Sequence, residues 1–209
     1  ETITKTATGE GKLVKQSGGR GQYGHVVLEM IPNERGAGIV VESKVVGGNI
    51  PKEYIPACKK GVEEALLNGT INGSPVIDVT VHITDGSYHE VDSNELAFKM
   101  AAIFAVKEVM RKGAPILLEP MMKVEVSTPD EFQGDILGDL NRRRGKIMNV
   151  TSKGNSSVVN AEVPLSEMFG YVNAIRTVSK GRAAYSMEPS HFEQVPANIV
   201  ATITEQKKG

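Results

Sequence analysis

Residues 17–26, SGGRGQYGHV, contain a glycine spacing that can signal a phosphate-binding loop. Gly19, Gly21 and Gly24 form a G-x-G-x-x-G pattern, and Val26 extends it to the glycine-loop pattern of protein kinases. Loops of this kind bring backbone N–H groups close to the phosphates of a nucleotide. The pattern therefore raises nucleotide binding as a first hypothesis.

The residues that follow the glycines argue against a nucleotide. A dinucleotide fingerprint needs a helix directly after its third glycine, whereas residues 25–31, HVVLEMI, have the composition of a strand. A kinase also needs an H-R-D-like loop and a D-F-G motif, and both are missing, although Lys44 could be assigned to the strand lysine. No G-x-x-x-x-G-K-[ST] pattern occurs, so the sequence predicts no P-loop.

Two other interpretations of the glycine loop stay open. Four glycines in seven residues, at positions 18, 19, 21 and 24, allow positive φ and close backbone approach, which favours a structural hairpin tip. Arg20, Gln22 and Tyr23 lie between them and offer phosphate, hydrogen-bond and stacking contacts. Those side chains favour an RNA-binding surface.

A second polar loop spans residues 85–93, DGSYHEVDS. Its acidic residues and His89 lack a second metal ligand at a known spacing, and no nucleophile arrangement is visible, so we predict neither a metal site nor catalysis. Asp85-Gly86 predicts a turn, and Asp92 or Ser93 predicts the cap of the next helix. Tyr88 and His89 are then left as exposed contact groups.

The elements around these loops indicate a first domain over residues 1–118. Strands are predicted within the first 45 residues, with a hairpin turn at Asn33–Gly36, and a helix follows from Pro51 to about Leu67. Residues 75–85 alternate strictly between apolar and polar side chains, which predicts a half-buried strand with His82 on its polar face. The next long helix carries an apolar stripe and ends at Gly113; the stripe consists of Ala97, Met100, Ala101, Phe104 and Ala105.

A second domain is predicted over residues 119–209. Its first strand leads through Thr128–Glu131, a T-x-x-E capping box with proline at the first helical position, into a helix that ends at Arg142-Arg143-Arg144. A second helix is predicted over residues 166–180. The resulting βαββαβ order is that of a ferredoxin-like fold, and a short final helix with an apolar face formed by Ile199, Val200 and Ile203 follows it. The fold class is therefore α+β.

Composition limits the function classes. The net charge is −1, from 13 basic and 14 acidic residues in 1–118 and 11 of each in 119–209, so any RNA contact must come from local patches. The first ten residues are polar and lack an initiator Met, and no apolar run is long enough to span a bilayer, so we expect a cytoplasmic segment of a longer protein. The single Cys58 is predicted to be a buried structural thiol.

Five long blocks, in order and at the right spacing, resemble the C-terminal half of bacterial translation elongation factor G across essentially the whole chain. They read QSGGRGQYGHV, VVGGNIPKEYIPA, DGSYHEVDSNELAFKMA, GDILGDLNRRRGKI and PLSEMFGY. The resemblance implies the fourth and fifth domains of that factor. It implies a βαβ domain with a left-handed crossover, whose tip enters the decoding centre of the small ribosomal subunit. A ferredoxin-like domain faces the factor-binding region of the large subunit, and the final helix packs near the fourth domain.

The resemblance also assigns site residues. Residues at the two tip loops are implied to contact ribosomal RNA and the tRNA–mRNA complex: Arg20, Gly21, Gln22, Tyr23, Ser87, Tyr88 and His89. Arg142, Arg143 and Arg144 are implied as further ribosome contacts, although cations at a helix C-terminus are favourable without any partner. The implied function is movement of the tRNA–mRNA complex from the A to the P site.

No catalytic residue, metal or cofactor is predicted for this chain. The GTPase domain of the family, with its GTP and Mg²⁺, is absent from it, so the chain alone is not expected to be an enzyme. Three alternatives remain: a paralogue that acts in ribosome recycling or tetracycline protection, a small-molecule kinase with a similar βαβ unit, and a protein-interaction module without RNA contact.

Overall fold

The structure is a computed structural model that describes residues 1–16 and 19–208. The strands and helices are, in chain order, β1 (Thr2–Ile3), β2 (Ala7–Lys15), β3 (Gln22–Pro32), β4 (Val40–Ser43), α1 (Ile55–Ala65), β5 (Val79–Ser87), α2 (Glu95–Lys112), β6 (Pro115–Ile116), β7 (Leu118–Pro129), α3 (Gln133–Arg142), β8 (Lys146–Lys153), β9 (Ser156–Pro164), α4 (Tyr171–Val178), β10 (Ala184–Gln194) and α5 (Ala197–Gln206). Short 3-10 turns lead into α1, α3 and α4. Ser17 and Gly18 of the glycine loop lie outside the described residues.

The chain forms two compact units, which confirms the α+β fold with two domains. The first comprises residues 1–117 and 195–209, and the second comprises residues 118–194. The units differ from the predicted bounds because α5 belongs to the first unit, where Lys207 Nζ donates to Ser74 Oγ at 2.9 Å. Ile199, Val200 and Ile203 are half-buried on one side of α5, as their spacing predicted.

The sheet of the first unit has the order β2-β3-β5-β4, in which only β4 and β5 are parallel. The connection β4–α1–β5 is therefore a βαβ unit, whose hand stays a prediction. Alternate residues of β3 and β5 face α2, so that Leu28 pairs with Ile83 and Met30 with Val81 in a fully buried core. The half-buried strand predicted over 75–85 is confirmed from Val79 onward.

Several local predictions for the first unit are wrong. The turn at Asn33–Gly36 does not form a hairpin, since β5 lies between β3 and β4. Asp85-Gly86 continues β5 instead of forming a turn. The pairing of β5 with β3 shifts register at this point, since Val27 pairs with Asp85 and Leu28 with Ile83. The cap of α2 is Asn94, whose Oδ1 accepts from Ala97 N at 2.8 Å, and not Asp92 or Ser93.

The predicted apolar stripe of α2 is only partly correct. Ala97, Ala101 and Ala105 are buried, but Met100 is half-buried and Phe104 is exposed. The buried face includes Phe98, Ala102, Val106 and Val109 instead. The helix therefore turns a slightly different side to the sheet than the i, i+3, i+4 spacing indicated.

The second unit has the ferredoxin-like sheet order β10-β7-β9-β8, with every neighbouring pair antiparallel. This confirms the predicted βαββαβ connectivity, and α3 and α4 contribute Ile136, Leu140 and Ile175 to its core. Thr128 does not cap α3, since it is buried in β7 and its hydroxyl donates to Pro129 O. The second helix, α4, is shorter than predicted because a 3-10 turn and Gly170 at φ 77° precede it.

Candidate nucleic-acid interface

Three connecting segments leave the sheet of the first unit at the same end. β2 and β5 run toward this end, β3 begins there because it is antiparallel to both, and β4 ends there because it is parallel to β5. We call this end the tip, and its described residues are 16, 19–21, 44–51 and 88–94. Both predicted contact loops therefore meet at one place, together with a third segment.

The two predicted loops are joined by an aromatic stack. The rings of Tyr23 and His89 lie 3.6 Å apart between centroids, with an interplanar angle of 9°. Tyr23 is only 7% exposed, whereas His89 is exposed. The Lys12 ammonium lies 5.5 Å from the centroid of the Tyr23 ring. Tyr23 is thus an interior side chain of the tip, and His89 covers it.

A chain of hydrogen bonds runs across the sheet from the Tyr23 hydroxyl to the edge strand β2. Tyr23 Oη lies 2.7 Å from Ser87 Oγ, Ser87 Oγ lies 2.8 Å from His25 Nδ1, and His25 Nε2 lies 2.8 Å from Glu10 Oε2. The hydrogen bond from His25, together with the charge of its imidazole, holds the pKa of the Glu10 carboxyl below its usual range. Sequence reasoning missed this chain because its members lie on three different strands.

The order Ser–His–Glu is also found in nucleophilic triads. Here the Ser87 hydroxyl is engaged by Tyr23 on one side and by His25 on the other. Glu10 lies on the exposed edge strand β2 and is itself exposed. The arrangement orients side chains between the strands of the tip, and its geometry does not leave the serine free to attack a substrate.

Backbone hydrogen bonds tie the same loops together. Tyr23 N donates to Asp92 O at 2.9 Å, and Ser93 Oγ donates to Tyr23 O at 2.9 Å. His89 N donates to Ser93 Oγ at 2.9 Å, and Tyr54 Oη donates to Ser93 O at 3.2 Å. The loop 88–94 is therefore fixed to β3 through Asp92 and Ser93, on the C-terminal side of His89.

The seven predicted contact residues of the tip divide into two groups. Arg20, Tyr88 and His89 are exposed, and Gly21 and Gln22 are half-buried at the start of β3. Tyr23 and Ser87 take part in the internal stack and hydrogen-bond chain. Only the first group has side chains or backbone positioned to meet a partner, and contact with RNA stays a prediction for all seven.

The third glycine of the G-x-G-x-x-G pattern is explained by packing. A Cβ on Gly24 would lie 2.5 Å from Ala97 O at the start of α2, so the strand and the helix approach too closely for any side chain. Gly11 of β2 is the same case, since a Cβ there would overlap Ala101 O. The glycine loop leads directly into a strand, β3, as predicted.

The segment 44–51 at the tip was not predicted as part of the site. Asn49 Nδ2 donates to Asp85 Oδ1 at 2.8 Å, and the buried Ile50 fills the space beside Gly86. The hydrogen bond from Asn49, followed by that from Gly86 N, lowers the pKa of the Asp85 carboxyl. Val46 is 77% exposed next to two glycines with positive φ. In the sequence, the Gly47-Gly48 pair that follows a predicted strand indicates a loop at this position.

The three predicted arginines of the second unit have different environments. The side chain of Arg142 is 75% exposed. Arg143 Nε donates to Asp139 Oδ2 at 2.9 Å and Nη1 donates to Glu167 O at 2.5 Å, while the guanidinium lies 5.0 Å from the Tyr171 ring centroid. Arg143 is thus engaged within the unit.

Arg144 is engaged even more fully. Its Nη1 and Nη2 donate to the two carboxylate oxygens of Glu119 at 2.7 and 2.8 Å, and its Nε donates to Glu167 Oε1 at 3.3 Å. The hydrogen bonds to Glu119 raise the pKa of Arg144 above its ordinary value. The residue also adopts a left-handed conformation, with φ 57°, that side chains seldom take. Of the three arginines, Arg142 has the most exposed side chain, and its Nη2 lies 3.6 Å from Asp139 Oδ1.

Two further groups bear on the sequence predictions. Cys58 is fully buried, and burial raises the pKa of its thiol to about 12, which confirms a structural cysteine. In the second unit, Glu162, His191 and Glu193 bring possible metal-ligand atoms within 4.8 Å of one another, where no metal site was predicted. His191 already bonds Ser190 Oγ at 2.8 Å and Glu193 Oε1 at 2.7 Å, and these hydrogen bonds account for its position.

Comparison with known proteins places the tip in a family context. The family model described as elongation factor G, domain IV, matches residues 1–114, and the model described as elongation factor G C-terminus matches residues 116–203. The elongation factor G of Chlamydia trachomatis serovar D is 58% identical over 206 residues, and that of Chlamydia caviae is 57% identical. The match covers 99% of this chain but only 30% of each of those proteins.

A solved structure agrees with these matches. The crystal structure of a protein from Thermus thermophilus superimposes with a TM-score of 0.85 at 42% sequence identity. It matches 99% of this chain, which spans 31% of that protein. No helix in the described part of the chain is long and apolar enough to cross a membrane.

Proposed function

Because the chain belongs to the elongation factor G family, we propose that it is the arm of a translation factor that moves the tRNA–mRNA complex from the A to the P site. In this proposal the tip enters the decoding region of the small ribosomal subunit. The observation that carries it is the joining of the two predicted loops by the Tyr23–His89 stack into one exposed surface. Two separate loops would not offer one continuous contact.

The exposed side chains of the tip suit RNA whose sequence changes in every cycle. Arg20 offers a planar guanidinium for phosphate, and Gln22 offers hydrogen bonds to sugar or base edges. Tyr88 and His89 add ring faces and edges. Since the codon–anticodon duplex varies, contacts to phosphate, sugar and shape would carry the binding. The near-neutral net charge of −1 fits a factor that must leave after each round.

The second unit is proposed to face the large subunit near its factor-binding region. Arg142 is the arginine we expect to reach ribosomal RNA or protein, since its side chain is the exposed one of the three. Binding would be shared with parts of the longer factor, because this chain spans 30% of its relatives. Those other parts would supply GTP and Mg²⁺ binding and GTP hydrolysis, in the cytoplasm.

The test uses a full-length elongation factor G in which this chain replaces the matching segment. His89→Ala, Gln22→Ala and Arg20→Ala are each introduced, and single-round translocation and GTP hydrolysis are timed on the same ribosomes. We expect hydrolysis to stay normal while translocation slows about tenfold, which is about 1.4 kcal/mol in the barrier. Arg111→Ala is the matched control, since Arg111 is an exposed cation at the opposite end of α2.

Two outcomes would overturn the proposal. Unchanged translocation in all three tip variants would mean that the tip surface is not the working contact. Micromolar binding of ATP or GTP to the 209-residue chain by calorimetry would instead support the nucleotide-binding alternative.

A further inference from the structure

We propose that Tyr23 is a positioning residue that holds the His89 imidazole at the tip, and that Ser87 and His25 fix Tyr23 in turn. The inference rests on the proposed function, because it assigns Tyr23 an internal role at the same surface. It differs from the prediction made from sequence, in which Tyr23 itself contacts RNA.

The burial of Tyr23 is the first step. A base can stack on a tyrosine only if one ring face is open, and Tyr23 is 7% exposed. His89 covers one face at 3.6 Å and nearly parallel, and the Lys12 ammonium approaches the ring at 5.5 Å. The exposed member of the pair is His89, so the imidazole is the group that a partner meets.

The second step is that Tyr23 has little freedom to move. Its hydroxyl bonds Ser87 Oγ at 2.7 Å, its N–H donates to Asp92 O, and its carbonyl accepts from Ser93 Oγ. Ring, hydroxyl and backbone are therefore held by different partners. A side chain fixed at three points can act as a rigid platform for a ring stacked on it.

The third step is the direction of the hydrogen-bond chain. Glu10 is an acceptor when ionised, so His25 Nε2–H donates to it. In the neutral imidazole Nδ1 then accepts from the Ser87 hydroxyl, which leaves Ser87 Oγ to accept from Tyr23 O–H. With a protonated imidazole the two bonds reverse, since Nδ1–H then donates to Ser87 Oγ and the Ser87 hydroxyl donates to Tyr23 Oη. The chain thereby fixes the Tyr23 hydroxyl from strands β2, β3 and β5 together.

The physical benefit is preorganisation. An unrestrained loop and histidine side chain would lose conformational freedom on binding, and that loss would weaken the contact. With the ring already stacked, His89 meets its partner in the bound orientation. Tyr23 therefore strengthens the contact made by His89 without touching the partner itself.

The structural arm of the test uses NMR on the full 209-residue chain. The ring current of Tyr23 should shift the His89 ring protons upfield in the native chain. Tyr23→Leu should move them toward the values of an unstructured histidine, while Tyr23→Phe keeps the ring and most of the shift. Ser87→Ala removes the hydrogen bond to the Tyr23 hydroxyl, and it should give an intermediate shift. This smaller change keeps the test available if Tyr23→Leu fails to fold.

Tyr54→Phe is the matched control. It removes one hydroxyl that donates to the same loop, at Ser93 O, and Tyr54 stacks on Phe98 instead of His89. The His89 shift should not change in it. Two results would overturn the positioning role. In one, the His89 ring protons of the native chain have the chemical shifts of an unstructured histidine; in the other, Tyr23→Leu leaves those chemical shifts unchanged.

The functional arm uses the full-length factor described above. Tyr23→Leu should slow translocation about as much as His89→Ala, and the double variant should be no more than about twofold slower than His89→Ala. A merely structural role would instead give multiplied effects in the double variant, which would overturn the inference. If His89→Ala has no effect on translocation, the proposed function fails, and the NMR arm still decides whether Tyr23 positions His89.

Discussion

The tip of the first unit and the 142–144 segment of the second unit both place an arginine before a glycine, as Arg20-Gly21 and Arg144-Gly145. Arg20 is exposed, and within the described part of the chain no carboxylate lies within ion-pair distance of it. Arg144 is held by both oxygens of Glu119 and by Glu167. The same residue pair thus has an exposed arginine in one place and an arginine bound to internal carboxylates in the other.

The difference lies in the neighbouring acidic groups. In the first unit, the carboxylates of Glu10 and Asp85 accept hydrogen bonds from His25 and Asn49, and neither forms an ion pair with Arg20. At the helix end, Glu119 is buried, with a side chain only 8% exposed, and a buried carboxylate needs a cation. A run of arginines in a sequence therefore indicates a contact surface only where no carboxylate of the same unit forms an ion pair with them.

The largest expected effect concerns Arg144. Arg144→Ala leaves the buried Glu119 carboxylate unpaired, so we expect the second unit to lose about 3 kcal/mol of unfolding free energy. Amide hydrogen exchange of residues in β7 and β9 measures this, since it follows the second unit alone. Arg142→Ala is the control, and we expect a change below about 0.5 kcal/mol.

The comparison would fail if Arg144→Ala were as mild as Arg142→Ala. Adding Glu119→Gln to Arg144→Ala should recover part of the stability, because the neutral amide removes the buried charge. A double variant less stable than Arg144→Ala would contradict an explanation based on that charge.

The next effect concerns Gly24 of β3, compared with a glycine on α3. Gly24→Ala places a Cβ 2.5 Å from Ala97 O, so β3 and α2 must separate, and we expect a loss of about 1–3 kcal/mol in the first unit. Gly138→Ala on α3 has no atom within 4 Å of its new Cβ, and it should stabilise the second unit by about 0.5–1 kcal/mol. Hydrogen exchange resolved by unit compares the two. If both variants changed the free energy of unfolding in the same direction, packing would not explain why a glycine stands at position 24.

The smallest effect concerns the third tip segment. Asn49→Ala removes the largest cause of the lowered pKa of Asp85, so that pKa should rise toward its ordinary value. A lowered carboxyl pKa contributes stability that is fully present above the unfolded-state pKa and is lost as pH falls through the folded-state pKa. In the variant this contribution should therefore be smaller, and its loss should be complete at a higher pH. The effect on stability is small because Asp85 is exposed.

Carbon-13 NMR titration of the Asp85 carboxyl measures this shift directly. Asn68→Ala is the control, as Asn68 is an exposed asparagine in the turn that follows α1. An unchanged Asp85 pKa in Asn49→Ala would remove the reason for treating segment 44–51 as fixed to the tip.

Local periodicity predicted much of the fold. The alternation in β5 and the helical spacing of α2 identified both elements, and the order of elements identified the ferredoxin-like unit. The errors arose where distant pairing decides. Asn33–Gly36 has the composition of a hairpin turn, but β5, almost 50 residues later, takes the place beside β3. Thr128 has the pattern of a cap, but the pairing of β7 with β9 continues through it.

The site followed the same division. Arg20, Gln22 and His89 were predicted at the tip, and the structure brings the two loops together. The internal role of Tyr23 depends on Ser87 and His89, which are more than 60 residues away in sequence, and no local pattern encodes that contact. Similarly, nothing in LNRRRG indicates that Glu119 neutralises its last arginine.

The glycines of β2 and β3 have a mechanical consequence. Because Gly11 and Gly24 have no side chain, the backbone of α2 contacts the backbone of the β2–β3 hairpin directly at these two positions, with no deformable side chain between them. Close-packed interiors have low compressibility, and backbone in contact with backbone has no rotamers that could yield. A force applied at the tip would therefore pass into the 18-residue helix with little loss in deformation. The contact between the hairpin and α2 is therefore expected to be stiff under load.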